Sequence, residues 1–252
     1  MKLLYTVLLT TSLLSVSLNS MAQTFKSPAK KVPLIELYTS EGCSSCPPAE
    51  RWLSSLIEHE NLWTEFVPIA FHVDYWDYLG WKDPYANKAN SQRQRRYARE
   101  FNASTVYTPG MRKEGLEWRS WKRGESPLSP ENDEVGVVSI SVDENRNFEA
   151  SFTSDQIDSN NISLNVALLG LDITSEVTRG ENHGKTLEHE FVVLGISSFA
   201  GAENGKWTGQ LPDPQVETPK YAVAAWITDG QSLIPIQATG GFLEDYLVSK
   251  AN

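Results

Sequence analysis

Cys43 and Cys46 are the only two cysteines of the 252-residue sequence, and Ser44 and Ser45 stand between them. A thiol attacks a disulfide as its thiolate. Exchange chemistry therefore needs one cysteine with stabilised negative charge and a second close enough to resolve the mixed disulfide. This spacing supplies both at a strand-to-helix junction, where the unpaired N–H groups and the dipole of the helix N-terminus favour an anion. Ser44 or Ser45 can donate one more hydrogen bond. A purely stabilising bridge is the competing reading, but closing so short a loop is worth only about 2 kcal/mol, against roughly 4.7 for a hundred-residue loop. Half of a zinc site has the same spacing, yet no further cysteine exists to complete one. Cys43 is assigned as the attacking thiol, partly exposed, and Cys46 as the more buried resolving thiol. Pro47 and Pro48 bear on these roles. The residue before a proline avoids helical angles and proline suits a first helical turn, so a helix starting at Pro47 brings Cys46 closer to the N-cap and its dipole, which would make Cys46 the lower-pKa thiol and reverse the roles.

The elements that must position the pair follow from periodicity. Val32 to Tyr38 reads as a short buried strand with Glu36 as its one charge. Trp52, Leu53, Leu56 and Ile57 recur at helical spacing between Ala49 and Glu60. Phe66 to Val73 is an apolar run suited to a central strand of a parallel sheet. Asp83-Pro84 signals the start of a helix from Tyr85 to Phe101, and Glu114-Gly115 a turn between Met111–Lys113 and Leu116–Trp121. Ser126-Pro127-Leu128-Ser129-Pro130 is the best linker. Beyond it, apolar strands alternate with Asn, Asp and Gly turns, most clearly at Val135–Val142, Phe148–Phe152, Ser163–Leu171, Glu190–Ile196 and Tyr221–Thr228, with Asp229-Gly230 as a hairpin turn.

Residues 1–22 have the pattern of a secretory signal: Lys2, an apolar stretch from Leu3 to Leu18, and Ser20-Met21-Ala22. The later chain holds no apolar run long enough for a membrane helix. A periplasmic or secreted location is expected, without a membrane span. The remaining length allows two domains, 23–125 and 131–252. Formal charge is -10, unevenly placed: Trp81 to Arg123 carries 11 basic and 4 acidic residues, and Gly124 onward 6 and 20. Such a net-acidic chain lacks the field that phosphate recognition uses, so no nucleic-acid partner is expected and the run Arg93, Arg95, Arg96, Arg99 reads as a solvated face.

The stretch Glu36-Leu37-Tyr38-Thr39-Ser40-Glu41-Gly42-Cys43-Ser44-Ser45-Cys46-Pro47-Pro48-Ala49-Glu50, then Phe71-His72-Val73-Asp74-Tyr75-Trp76-Asp77, then Tyr107-Thr108-Pro109, carries a specific likeness. Together they resemble the secreted thioredoxin-like family catalogued as domain of unknown function twelve twenty-three. Gly180-Glu181-Asn182-His183-Gly184-Lys185-Thr186-Leu187 resembles a recurring feature of that family's C-terminal part. The resemblance implies an α/β fold, a thioredoxin-like N-terminal domain followed by a mostly antiparallel, sandwich-like β domain. It also implies that Pro109 is the cis-proline facing the cysteine pair, although Met111-Arg112-Lys113 is more polar than the strand usually found there. The family has no settled substrate.

Other candidates are read more plainly. His72 and Asp74, two apart at a strand end, share a face and form either a hydrogen-bonded structural pair or a proton shuttle or metal-ligating pair, the first being preferred. Glu36 is either a buried acid serving Cys46 or, preferably, the polar face of an edge-like strand. His183 and His189 read as surface or hydrogen-bonded residues. The expected function is a thiol–disulfide oxidoreductase acting on protein thiols or disulfides, with Cys43, Cys46 and Pro109 as site residues and no cofactor. The rivals are a copper(I) or zinc carrier using the same cysteines, perhaps with His72, and a binding module without redox activity.

Overall fold

The structure, a computed structural model, describes residues 22–128, 133–158, 161–201, 204–230 and 232–244. The expected signal segment lies outside the described residues except for Ala22, as do Ser129 and Pro130 of the expected linker. In chain order the elements are β1 (Gln23–Lys26), β2 (Leu34–Thr39), α1 (Pro47–Ser54), β3 (Val67–His72), α2 (Lys88–Glu100), β4 (Gly110–Lys113) and β5 (Leu116–Glu117). There follow β6 (Val137–Val142), β7 (Asn147–Thr153), β8 (Ile162–Leu171), β9 (Ile173–Glu176), β10 (Thr186–His189), β11 (Val192–Ala200), β12 (Lys206–Gln210), β13 (Lys220–Asp229) and β14 (Pro235–Leu243).

The expectation of an α/β thioredoxin-like domain followed by a β-sandwich-like domain is overturned. Among the described residues the protein is mostly β, 43% strand and 17% helix, in three sheets. Its spine is one eight-stranded sheet of order β14-β13-β8-β11-β3-β2-β4-β5, which mixes strands from both halves of the chain. The join is the parallel bridge of β11 to β3, Val192 opposite Ala70, beside the parallel pair β2·β3. A four-stranded sheet, β1-β6-β7-β12, and the two-stranded β10-β9 complete the fold.

Side-chain alternation explains why the halves merge. Successive residues of a strand point to opposite faces. In β13, Ala222, Ala224 and Trp226 enter one apolar core, while Tyr221, Val223, Ala225 and Ile227 enter a second. β8 divides likewise, Ala167 and Leu169 to the first core and Val166 and Leu168 to the second. The first core also takes Ala49 and Leu53 of α1 and Tyr97 of α2; the second takes Val138 and Ile140 of β6 and Phe148 and Phe152 of β7. The long strands are apolar on both faces because each face has its own cover. β6 and β7 are covered on one face only and read as alternating sequences, VVSISV and NFEASFT.

Candidate functional site: a disulfide above a buried histidine–carboxylate cluster

The turn between β2 and α1 carries the cysteines, and α1 returns the chain to the parallel strand β3. Cys43 and Cys46 form a disulfide with Cα atoms 5.4 Å apart. The helix begins at Pro47, the start that the two prolines point to, with Cys46 as its N-cap. Pro47 and Pro48 bring no N–H, and the first available donors, Ala49 N and Glu50 N, are spent on the Cys46 carbonyl at 2.9 and 3.2 Å. The polar neighbour of the Cys43 sulfur is instead the Ser45 hydroxyl, at 3.4 Å. Both cysteines are fully buried, whereas Ser44 and Ser45 are exposed. The expected partial exposure of Cys43 is therefore corrected.

The reason is a clamp from far along the chain. Asn182, fully buried, donates through Nδ2 to the carbonyls of Glu41 (2.8 Å) and Cys43 (3.0 Å), and Lys185 Nζ donates to its Oδ1 at 2.8 Å. The Ser44 N–H donates to Glu181 Oε2 at 3.0 Å, and hydrogen bonding from Ser44 holds that carboxyl below its ordinary range. The segment singled out as a family-like feature is thus the cover of the cysteine turn. Asn182→Ala should cost about 1–3 kcal/mol of stability by stranding two carbonyls, and should speed reduction of the disulfide by dithiothreitol. Unchanged reduction kinetics and an unchanged melt would show that Asn182 does not restrain the turn.

Beneath the disulfide lies a cluster that the sequence did not reveal. His189, from β10, places Nε2 3.1 Å from Glu41 Oε1 and Nδ1 3.2 Å from Glu50 Oε2. Glu41 also accepts from Trp81 Nε1 at 2.7 Å, and Thr39 donates to Glu50 Oε1. His72 Nδ1 meets Asp83 Oδ2 at 2.7 Å, and that carboxylate also accepts the Glu41 N–H. The two imidazoles stand edge to face, centroids 5.1 Å apart. Burial alone would lower both imidazoles. The carboxylates win: Glu50 and Glu41 push His189 up to about 10, and Asp83 raises His72. Conversely, burial would raise Glu50 and Asp83, but the histidine charges hold both below their ordinary values.

These shifts set a pH window. The raised histidines contribute stability that is complete below their unfolded value, 6.5, and is lost as pH rises through their folded values. The depressed carboxyls contribute stability that is complete above their unfolded values, 4.5 for Glu50 and 3.8 for Asp83, and is lost as pH falls through their folded ones. All four contributions coexist from pH 4.5 to 6.5. Melting temperature in chelator-containing buffer should therefore decline between pH 6.5 and 10, and His189→Gln should flatten that limb. A flat wild-type profile would refute the assignment.

The other candidates separate. The Thr108–Pro109 bond is cis, as the resemblance implied. Trp76 links it to the cysteine turn: its indole N–H donates to Thr108 Oγ1 at 2.7 Å, and its Cβ would lie 2.9 Å from any Cβ at position 42, which only glycine accommodates. His72 and Asp74 do not pair, since Asp74 is taken by Ser91 and the acid of His72 is Asp83. Asp83-Pro84 accordingly does not start a helix; α2 begins at Lys88, capped by the Asn87 side chain. Glu36 is neither on an edge nor engaged with the cysteines: it lies in the interior strand β2 and binds Arg93, Tyr97 and Tyr38. Arg93, read as solvated, turns inward to meet it. Arg95, Arg96 and Arg99 line a cavity of about 540 Å³ with Ile196 and Leu233. Glu41, Glu50, Asp83, Asn182 and His189 were not foreseen as site residues. Glu41 and Glu50 flank the cysteine motif, and that adjacency was the available signal.

Among the described residues no helix is long and apolar enough to cross a membrane. A model of the family described as "Protein of unknown function (DUF1223)" matches residues 34–228. No curated protein matches the chain. A protein of Agrobacterium tumefaciens solved by the Northeast Structural Genomics Consortium is 24% identical, with a TM-score of 0.57 over 85% of this chain and 95% of that chain. This likeness shows a shared fold. HBP35 of Porphyromonas gingivalis is 15% identical, with a TM-score of 0.47 over 85% of this chain and 76% of that chain.

Proposed function

This chain belongs to the DUF1223 family, and we propose that it is a thiol–disulfide oxidoreductase that exchanges disulfides with protein cysteines outside the cytoplasm. The observation that carries the reading is the Cys43–Cys46 disulfide itself, in a short turn at the N-cap of α1, with no other cysteine in the sequence. In the reducing direction the Cys43 thiolate attacks a substrate disulfide, forms a mixed disulfide and releases one substrate thiolate. Cys46 then attacks Cys43 Sγ, closing the internal disulfide and releasing the second substrate thiolate, so two electrons pass to the substrate. The reverse sequence oxidises a dithiol. Ser45 supports Cys43 as the attacking group, because its hydroxyl is placed to donate to the sulfur anion. A partner reaches the buried sulfurs only after the turn is released from Asn182 and Glu181.

Equilibration with glutathione redox pairs, alongside metal titration of the reduced protein, tests the reading. The expected result is a defined two-electron midpoint and catalysed disulfide exchange with a denatured model protein. Thiol-dependent copper(I) or zinc binding without exchange would favour the carrier reading. Neither exchange nor binding would leave a module without redox activity.

A further inference from the structure

We propose that Glu50, His72 and His189 form a buried site for a divalent transition-metal ion of the zinc class, separate from the cysteine pair. Their ligand atoms lie within 4.8 Å of one another, and all three residues are buried. The unsatisfied groups point to it. His72 is fully buried and its Nε2 has no hydrogen-bond partner, while His189 Nδ1 meets only the Glu50 carboxylate, at 3.2 Å. A buried polar atom without a partner costs free energy that the native state normally recovers elsewhere. A partnerless imidazole nitrogen beside a second imidazole nitrogen and a carboxylate is what a cation would satisfy.

The reverse side of each ligand is already anchored. His72 Nδ1 is held by Asp83 at 2.7 Å, His189 Nε2 by Glu41 at 3.1 Å, and Glu50 Oε1 by the Thr39 hydroxyl. A carboxylate behind the far nitrogen of a ligating histidine is the usual device for fixing the ring and its tautomer. Here both rings have one. Tetrahedral zinc with bonds of about 2.0–2.1 Å sets its ligand atoms about 3.3 Å apart. Nδ1 of His189 and Oε2 of Glu50, at 3.2 Å, already have that separation.

Charge balance agrees. Glu41, Glu50 and Asp83 place three carboxylates around two imidazoles. One divalent cation with two neutral imidazoles gives the same net charge as two imidazolium ions, so loading replaces two protons and leaves the net charge of the cluster unchanged. Imidazole with carboxylate selects zinc and its transition-metal neighbours over magnesium or calcium.

The test uses oxidised full-length protein, stripped with chelator, so that both sulfurs are tied in the disulfide and no thiolate competes. Zinc is added, and binding is followed by calorimetry and by X-ray absorption at the zinc edge. The expected result is one equivalent bound, in a nitrogen and oxygen shell at about 2.0–2.1 Å with imidazole scattering and no sulfur near 2.3 Å. His72→Ala should abolish stoichiometric binding, and Asp83→Asn, which leaves the ligands in place, should weaken it about 10–100-fold. Absence of stoichiometric zinc, a shell without imidazole, a shell containing sulfur, or undiminished affinity in His72→Ala would each overturn the proposal. Should the variants fail to fold, the absorption spectrum of the wild type decides. Disulfide exchange enters none of these readouts, so the site stands or falls independently of the redox reading.

Discussion

Cys46→Ser is expected to accumulate a mixed disulfide between Cys43 and a protein substrate, a species that in the wild type is resolved too quickly to collect. The substitution removes the resolving thiol and keeps the attacking one, so the covalent adduct passes from undetectable to the main product on a non-reducing gel with a denatured disulfide-containing protein. Cys43→Ser should abolish capture. The asymmetry rests on local donors: Cys43 has the Ser45 hydroxyl, while the prolines and the spent amides of Ala49 and Glu50 leave α1 little to offer an anion at its N-cap. In the proposed exchange the Cys43 carbonyl is released from Asn182 and the Ser44 N–H from Glu181 before attack, so Asn182→Ala combined with Cys46→Ser should capture faster. Capture through Cys46 in the Cys43→Ser protein would reverse the roles. Alkylation of each single-cysteine variant across pH provides the independent check, with Cys43 labelling at the lower pH.

Glu36→Ala is expected to be the most destabilising single substitution named here, at about 3–5 kcal/mol. Glu36 is fully buried, and its carboxylate accepts from Arg93 (3.2 and 3.3 Å), from Tyr97 (2.6 Å) and from Tyr38 (2.9 Å). The Arg93 side chain is only 11% exposed and lies over the Phe71, Tyr97 and Trp226 rings. Removing the carboxylate leaves that guanidinium buried with no counter-charge and the Tyr38 hydroxyl without its acceptor, while the Tyr97 hydroxyl keeps the Leu233 carbonyl at 2.8 Å. Breaking a buried pair from one side costs far more than the pair contributes net. Against a total of about 5–15 kcal/mol for an ordinary domain, this is roughly a fifth or more of the stability. Urea unfolding measures it. A loss under about 1 kcal/mol would mean that water reaches Arg93.

What the sequence determined about this protein is local. Two cysteines in one short turn, an apolar strand on either side, a helix whose start two prolines constrain, and alternating strands from Val137 onward depend on neighbours within a few residues, and periodicity reports those directly. Even so, it reported burial and not partners. β8 and β13 are apolar on both faces because two cores claim alternate side chains, and nothing local says that one core is built by α1 and α2 of the other half of the chain. The same limit governs the site. Glu41, Glu50, Asp83 and His189 arrive from a turn, a helix, a loop and a strand, and Glu41 and His189 are 148 positions apart in sequence. Each alone has the ordinary reading of a surface acid or a surface histidine. Only the parallel join of β11 to β3, next to β2, brings them under the disulfide. Burial then decides their chemistry, because carboxylate and imidazole charges that water would screen must instead neutralise one another.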